Sequence, residues 1–103
     1  MADFMKILQQ AQEMQGRFQK LQEELQQQTV KASSGGGMVT VEANGQGTVR
    51  SIKIDPSVVN AADVEMLEDL LLVAVSEVQK KAQEAAQAEM GKLTGGLPFK
   101  LPF

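Results

Sequence analysis

A single apolar stripe sets the terms for this chain. Phe4, Ile7, Ala11, Met14, Phe18, Leu21 and Leu25 recur at alternating spacings of three and four residues, which is the repeat of one helix face. With Asp3 placed as an N-cap and Gly16 as a mild interior breaker, the spacing predicts a helix over residues 4–28, about 37 Å long at about 1.5 Å per residue. That is long for a chain of 103 residues, which suffices for one domain but not for two separate cores. Its polar face carries nine glutamines, at positions 9, 10, 12, 15, 19, 22, 26, 27 and 28. These are good helix formers that stay hydrated without adding charge.

From Thr29 the pattern changes to β-branched residues and glycines, and 29–33, 38–43 and 48–54 read as three strands. Asn44-Gly45-Gln46-Gly47 is a strong hairpin turn, because Asn and Gly tolerate positive φ. The turn at Ser34-Gly35-Gly36-Gly37 is looser. Val39, Val41 and Ala43 alternate cleanly, but Val49 falls on the opposite parity to Ile52 and Ile54. The third strand therefore carries a bulge or is covered on both faces. Asp55-Pro56 ends the sheet, since proline cannot donate to a ladder.

A second helix is expected from about Asp63 to Met90, with Gly91 as its C-terminal cap and Asp63, Glu65, Glu68 and Asp69 at the positive end of its dipole. The run Leu70 to Val75 is apolar around the whole circumference of that helix. One three-stranded sheet cannot cover it, so a second copy of the chain is the expected source of apolar surface. Leu67, Leu70, Leu71, Ala74, Val75 and Val78 are the residues expected at that dimer contact. The fold class is thus α+β: long helix, three-stranded antiparallel sheet, long helix.

Composition narrows the function. The chain has no Cys, His, Trp or Tyr, which removes thiol chemistry, Cys/His zinc sites and the usual general base near neutral pH. An enzyme is not expected, nor a cofactor, a metal or a small-molecule substrate. The longest apolar run falls far short of the roughly 20 residues that cross a bilayer, and no signal-peptide pattern opens the chain. A cytoplasmic protein with no membrane partner is the expectation. Gly35-Gly36-Gly37 is not a phosphate loop, because no Gly-Lys-Ser/Thr follows and the flanks are strand to strand. Glu65, Glu68 and Asp69 share a helix start rather than converging their oxygens, so they complement the dipole instead of holding a hard cation.

With this order of elements in place, five stretches carry a resemblance: Gly35-Gly36-Gly37-Met38-Val39, Asn44 to Gly47, Ser51-Ile52-Lys53-Ile54-Asp55-Pro56, Glu65-Met66-Leu67-Glu68-Asp69-Leu70 and Met90-Gly91-Lys92-Leu93-Thr94-Gly95-Gly96. Together they resemble the YbaB/EbfC family of nucleoid-associated proteins. The resemblance implies a homodimer with protruding helical arms that binds double-stranded DNA, alters its conformation and serves nucleoid organisation and gene regulation. It covers residues 1–96 as one DNA-binding and dimerisation domain, with an apolar, proline-containing tail over 97–103. That tail cannot form a membrane-lying helix, and is expected to dock on its own or a partner subunit.

The net charge of -3 means that any contact with a polyanion is local. Residues 63–90 hold seven acids against two lysines, whereas 1–62 balance six acids with six bases. The expected DNA-contacting cations are Arg17, Lys20, Lys80 and Lys81, then Lys6, Lys31 and Lys92. The competing account of four of them is helical ion pairing: Glu13 with Arg17, Lys20 with Glu24, Glu77 with Lys81, and Lys80 with Glu84. Without an Arg/Asn-rich recognition helix or an aromatic platform, the expected readout is of backbone and shape. The alternative function is a coiled-coil-like protein-interaction module whose DNA binding is incidental.

Overall fold

The computed structural model describes residues 2–94. It has the expected α+β order: α1 (Ala2–Gln27), β1 (Val30–Ser34), β2 (Val39–Ala43), β3 (Val49–Ile54) and α2 (Val64–Thr94). Two helix ends differ from the expectation. Asp3 lies within the first turn of α1 and is not its cap. At the other end, α2 runs through Gly91 to Thr94, since one interior glycine costs a helix only about 1 kcal/mol. Its start is as expected: the Asp63 carboxylate accepts from the Met66 amide at 3.2 Å, an N-cap that satisfies one orphan donor.

The strands form an antiparallel meander in the order β1-β2-β3. Cross-strand partners share a face. Ala32 with Val41, Ser34 with Val39, Ile52 with Val41 and Ile54 with Val39 therefore lie on one side. The parity conflict in β3 is resolved by a bulge. Ser51 pairs with Glu42 while Val49 pairs with Ala43, leaving Arg50 as the extra residue. Val49 thereby turns to the same face as Ile52 and Ile54.

Helix α2 lies across β1 and β2 on that face. Ala74 and Val78 are fully buried there with Val39, Val41, Ala32 and Ala43, and Val58 enters the same core from a 3-10 turn at Pro56–Val58. So Ala74 and Val78, expected at a contact between copies, are covered by the chain's own sheet and leave no surface for a partner. Leu67, Leu70, Leu71 and Val75 are half-buried at the edge of this core. The β3 part of the face is not covered: Ile52 is 48% exposed and Ile54 37%.

Two glycine turns hold the helices to the sheet. Gly35, Gly36 and Gly37 all have positive φ. At Gly35 a Cβ would also stand 2.9 Å from the Leu70 side chain, and the adjacent Ser34 hydroxyl donates to the Leu70 carbonyl at 2.6 Å. At the other hairpin the buried Asn44 carboxamide oxygen accepts from the amides of Gln46 (2.9 Å) and Thr48 (3.0 Å). Positive φ is needed at Gly47 and not at Asn44. That hairpin abuts the end of α1, where Leu21 and Leu25 are buried. Beyond this point α1 extends as an arm, and the molecule measures 73 × 24 × 16 Å.

Candidate nucleic-acid interface

Where the C-terminal halves of the two helices meet, Arg17, Lys20, Leu21 and Glu24 of α1 line a groove of about 310 Å³ with Glu89, Lys92 and Leu93 of α2. Three of the seven expected cations are thus brought together from residues 75 positions apart in the chain, on a floor made by buried Leu21. The Lys92 ammonium is 3.3 Å from the Glu89 carboxylate. None of the four expected helical ion pairs forms: among the described residues the ion pairs are Lys92–Glu89 and Lys31–Glu42. The Arg17 and Lys20 side chains are exposed and make no ion pair among the described residues.

The remaining candidates lie apart from this groove. Lys6 is exposed on the α1 arm and Lys80 on α2. Lys81 donates from its ammonium to the Lys31 carbonyl of β1 at 2.9 Å. Lys31 itself crosses to Glu42 of β2 at 3.2 Å on the polar face of the sheet. That face also carries Ser33, Thr40, Ser51 and Lys53 by the strand register, with Ser33 and Thr40 hydroxyls 3.0 Å apart. Lys53 escaped the sequence reading, although its pairing with Thr40, opposite Ser33, puts it on the face that holds Lys31. Arg50 also escaped it, because only the bulge frees its guanidinium to donate to the Gln26 carbonyl at 2.7 Å.

Charge is separated along α2. No base occurs between Lys53 and Lys80, a stretch that holds Asp55, Asp63, Glu65, Glu68, Asp69 and Glu77. Asp69 and Lys92 are 23 residues apart on this helix, or about 35 Å at about 1.5 Å per residue. The Arg17–Lys20–Lys92 end is therefore well separated from the acidic end. Among these acids Asp55 is held below the ordinary carboxylate range, because its charged form accepts hydrogen bonds from Ser57, whose amide is 2.8 Å away. Among the described residues no group of three or more His, Cys, Asp or Glu could hold a metal. No helix among them is long and apolar enough to cross a membrane.

Comparison with known proteins gives this arrangement a context. A nucleoid-associated protein of Gemmatimonas aurantiaca is 55% identical, over 98% of this chain and 99% of its own length. One of Thermodesulfovibrio yellowstonii is 58% identical, over 96% of this chain and 85% of its own. The crystal structure of an uncharacterized protein from Helicobacter pylori superposes with a TM-score of 0.82 at 27% identity, covering 89% of this chain and 97% of that one. The model of the YbaB/EbfC DNA-binding family matches residues 1–97, and the chain belongs to that family.

Proposed function

We propose that this chain is a nucleoid-associated protein of the bacterial cytoplasm that binds double-stranded DNA as a homodimer and changes the path of the duplex. The observation that carries the reading is the convergence of Arg17, Lys20 and Lys92 at the α1–α2 groove, in a member of a DNA-binding family. Arg and Lys neutralise phosphates, and the neighbouring glutamines supply neutral hydrogen bonds to sugar and phosphate oxygens. Lys80, Lys81, Lys6 and Lys31 extend the contact. Backbone contact of this kind reads shape and deformability far more than base sequence. Nucleoid organisation and gene regulation result from altering DNA conformation, with no catalytic step.

The dimer is supported by apolar surface that one chain leaves open. Ile52 and Ile54 lie on the α2-bearing face of the sheet without cover, Leu67, Leu70, Leu71 and Val75 are half-buried, and Leu72 is 66% exposed. A second copy, related by a two-fold axis, removes this surface from water and doubles the cationic grooves. Two grooves facing one duplex bend it by gripping it at two places.

A salt titration of DNA affinity on unrelated duplexes tests the reading. A dimer neutralising about four to six phosphates gives log K against log salt a slope of about -3.6 to -5.4. Similar affinities across sequences are expected. A flat salt dependence, or absence of binding at low salt, overturns the proposal and favours a protein-interaction role for the helices.

A further inference from the structure

We propose that the α1 arm is the docking surface for the chain's own residues 97–103, which lie outside the described residues. The stripe that opens the sequence is continuous, but its cover is not. Leu21 and Leu25 are 5% and 3% exposed under the hairpin and α2 and Met14 is half-buried, whereas Phe18, Ile7 and Phe4 are 42%, 59% and 64% exposed. Leu8 beside them is also exposed. The cover stops where α2 stops, since Leu93 lies at the Arg17–Leu21 level of α1 and the helix ends at Thr94. The chain after Thr94 therefore sets out from the foot of the bare stripe.

The sequence of that segment fits the surface. Leu97, Phe99, Leu101 and Phe103 alternate with Pro98, Lys100 and Pro102. Each proline excludes helix and holds the residue before it extended, and in an extended chain alternate side chains share one side. All four apolar residues can then face α1 while Lys100 faces water. The prolines also remove two amide donors that docking on a helix would leave unsatisfied. Reach is sufficient: nine residues after Thr94 span about 30 Å at about 3.3 Å each, and Leu21 to Phe4 is about 25 Å of helix. A short tether keeps the tail at roughly millimolar effective concentration beside the arm, which favours it over a separate copy as occupant. The proposal is independent of DNA binding.

Hydrogen exchange on the full chain tests this, comparing it with the Phe99→Ser/Phe103→Ser variant. Amides of residues 4–18 are expected to exchange at least tenfold faster in the variant, with the strand amides unchanged. Equal rates over 4–18 in the two proteins overturn the proposal. The absence of native cysteine allows a second arm, in which Leu8→Cys and Leu101→Cys, both on the facing sides of the proposed contact, are introduced together and oxidised. A disulfide within one chain, read from the denatured mass, supports docking of the chain's own tail. A covalent dimer instead overturns it, assigning the surface to the partner's tail.

Discussion

The main-chain amide of Gly45 donates to the carbonyl of Leu25 over 2.7 Å, so the tip of the β2–β3 hairpin closes the C-terminal end of α1. Gln46 and Arg50 reinforce the junction by donating to the Gln22 carbonyl at 3.3 Å and the Gln26 carbonyl at 2.7 Å. The Leu25 and Gln26 carbonyls are among the last four of α1, which a helix end leaves short of donors, and both find one on the sheet. The direction in which the α1 arm points is consequently fixed by the hairpin.

The junction leaves no room for a side chain at Gly45. A Cβ there would stand 2.8 Å from the Leu25 carbonyl oxygen and 2.9 Å from the Gln28 side chain. Gly45→Ala is expected to lose about 1–3 kcal/mol of stability, measured from urea unfolding midpoints. Gly16→Ala is expected to do the opposite. Nothing lies within 4 Å of its Cβ position, which is interior to α1, and helix propensity gives a gain of about 0.5–1 kcal/mol.

Changing Arg17 and Lys20 together to Gln keeps helix propensity and removes up to four positive charges per proposed dimer. Affinity should fall on all duplexes by similar factors, the salt slope should become shallower, and the mass in solution should not change. Unchanged binding at every salt concentration would show that these two residues are not phosphate contacts.

Two glutamates introduced on the apolar surfaces should separate folding from the proposed dimerisation. Ala74→Glu places a charge in the fully buried α2–sheet contact, costs several kcal/mol, and should abolish cooperative unfolding. Ile52→Glu lies on the uncovered β3 surface, and should leave helical circular dichroism in place while reducing the light-scattering mass toward that of a monomer. A dimer mass that survives Ile52→Glu would remove β3 from the interface.

Asp55 caps its turn best when ionised, and its folded-state pKa is lowered by the hydrogen bonds to Ser57. Its stabilisation is therefore present above the unfolded carboxylate pKa of about 3.9 and is lost as pH falls through the lowered folded value. Asp55→Ala should lower the thermal midpoint at neutral pH, and the gap to the parent should close in acid. A gap that is constant from neutral pH down to the acid limb would exclude the charged cap.

The sequence made the elements legible because two periods, 3.6 and 2, are written in apolar residues with glycine and proline between them. Strand ends shifted by a residue and every expected helix and strand is present among the described residues, but the short 3-10 helices at Gly35–Gly37 and Pro56–Val58 were not foreseen. Less legible was which apolar surface one chain covers for itself. Leu70 to Val75 reads as uniformly apolar, yet Ala74 is buried against the sheet while Leu72 and Val73 on the same turn are exposed; only the packing angle of α2 decides this. The cations show the same division. Their presence on two helices is plain, but the meeting of Arg17 and Lys20 with Lys92 depends on how far α2 runs beside α1. Arg50 could not be placed at all until the bulge was known, since a one-residue shift exchanges the two faces of a strand.

The bond from the Lys81 ammonium to the Lys31 carbonyl has a further consequence, because β1 is an edge of the sheet. An open edge invites strands from other chains, and a lysine set against it is a natural guard, since an incoming strand must first displace a hydrated charge. A protein that crowds along DNA meets its own copies at high local concentration, where unguarded edges would seed β-aggregates. Lys81 thus bears on colloidal behaviour as well as on the proposed DNA contact, and Lys81→Ala should shorten the time to turbidity in concentrated solution even where stability is unaltered.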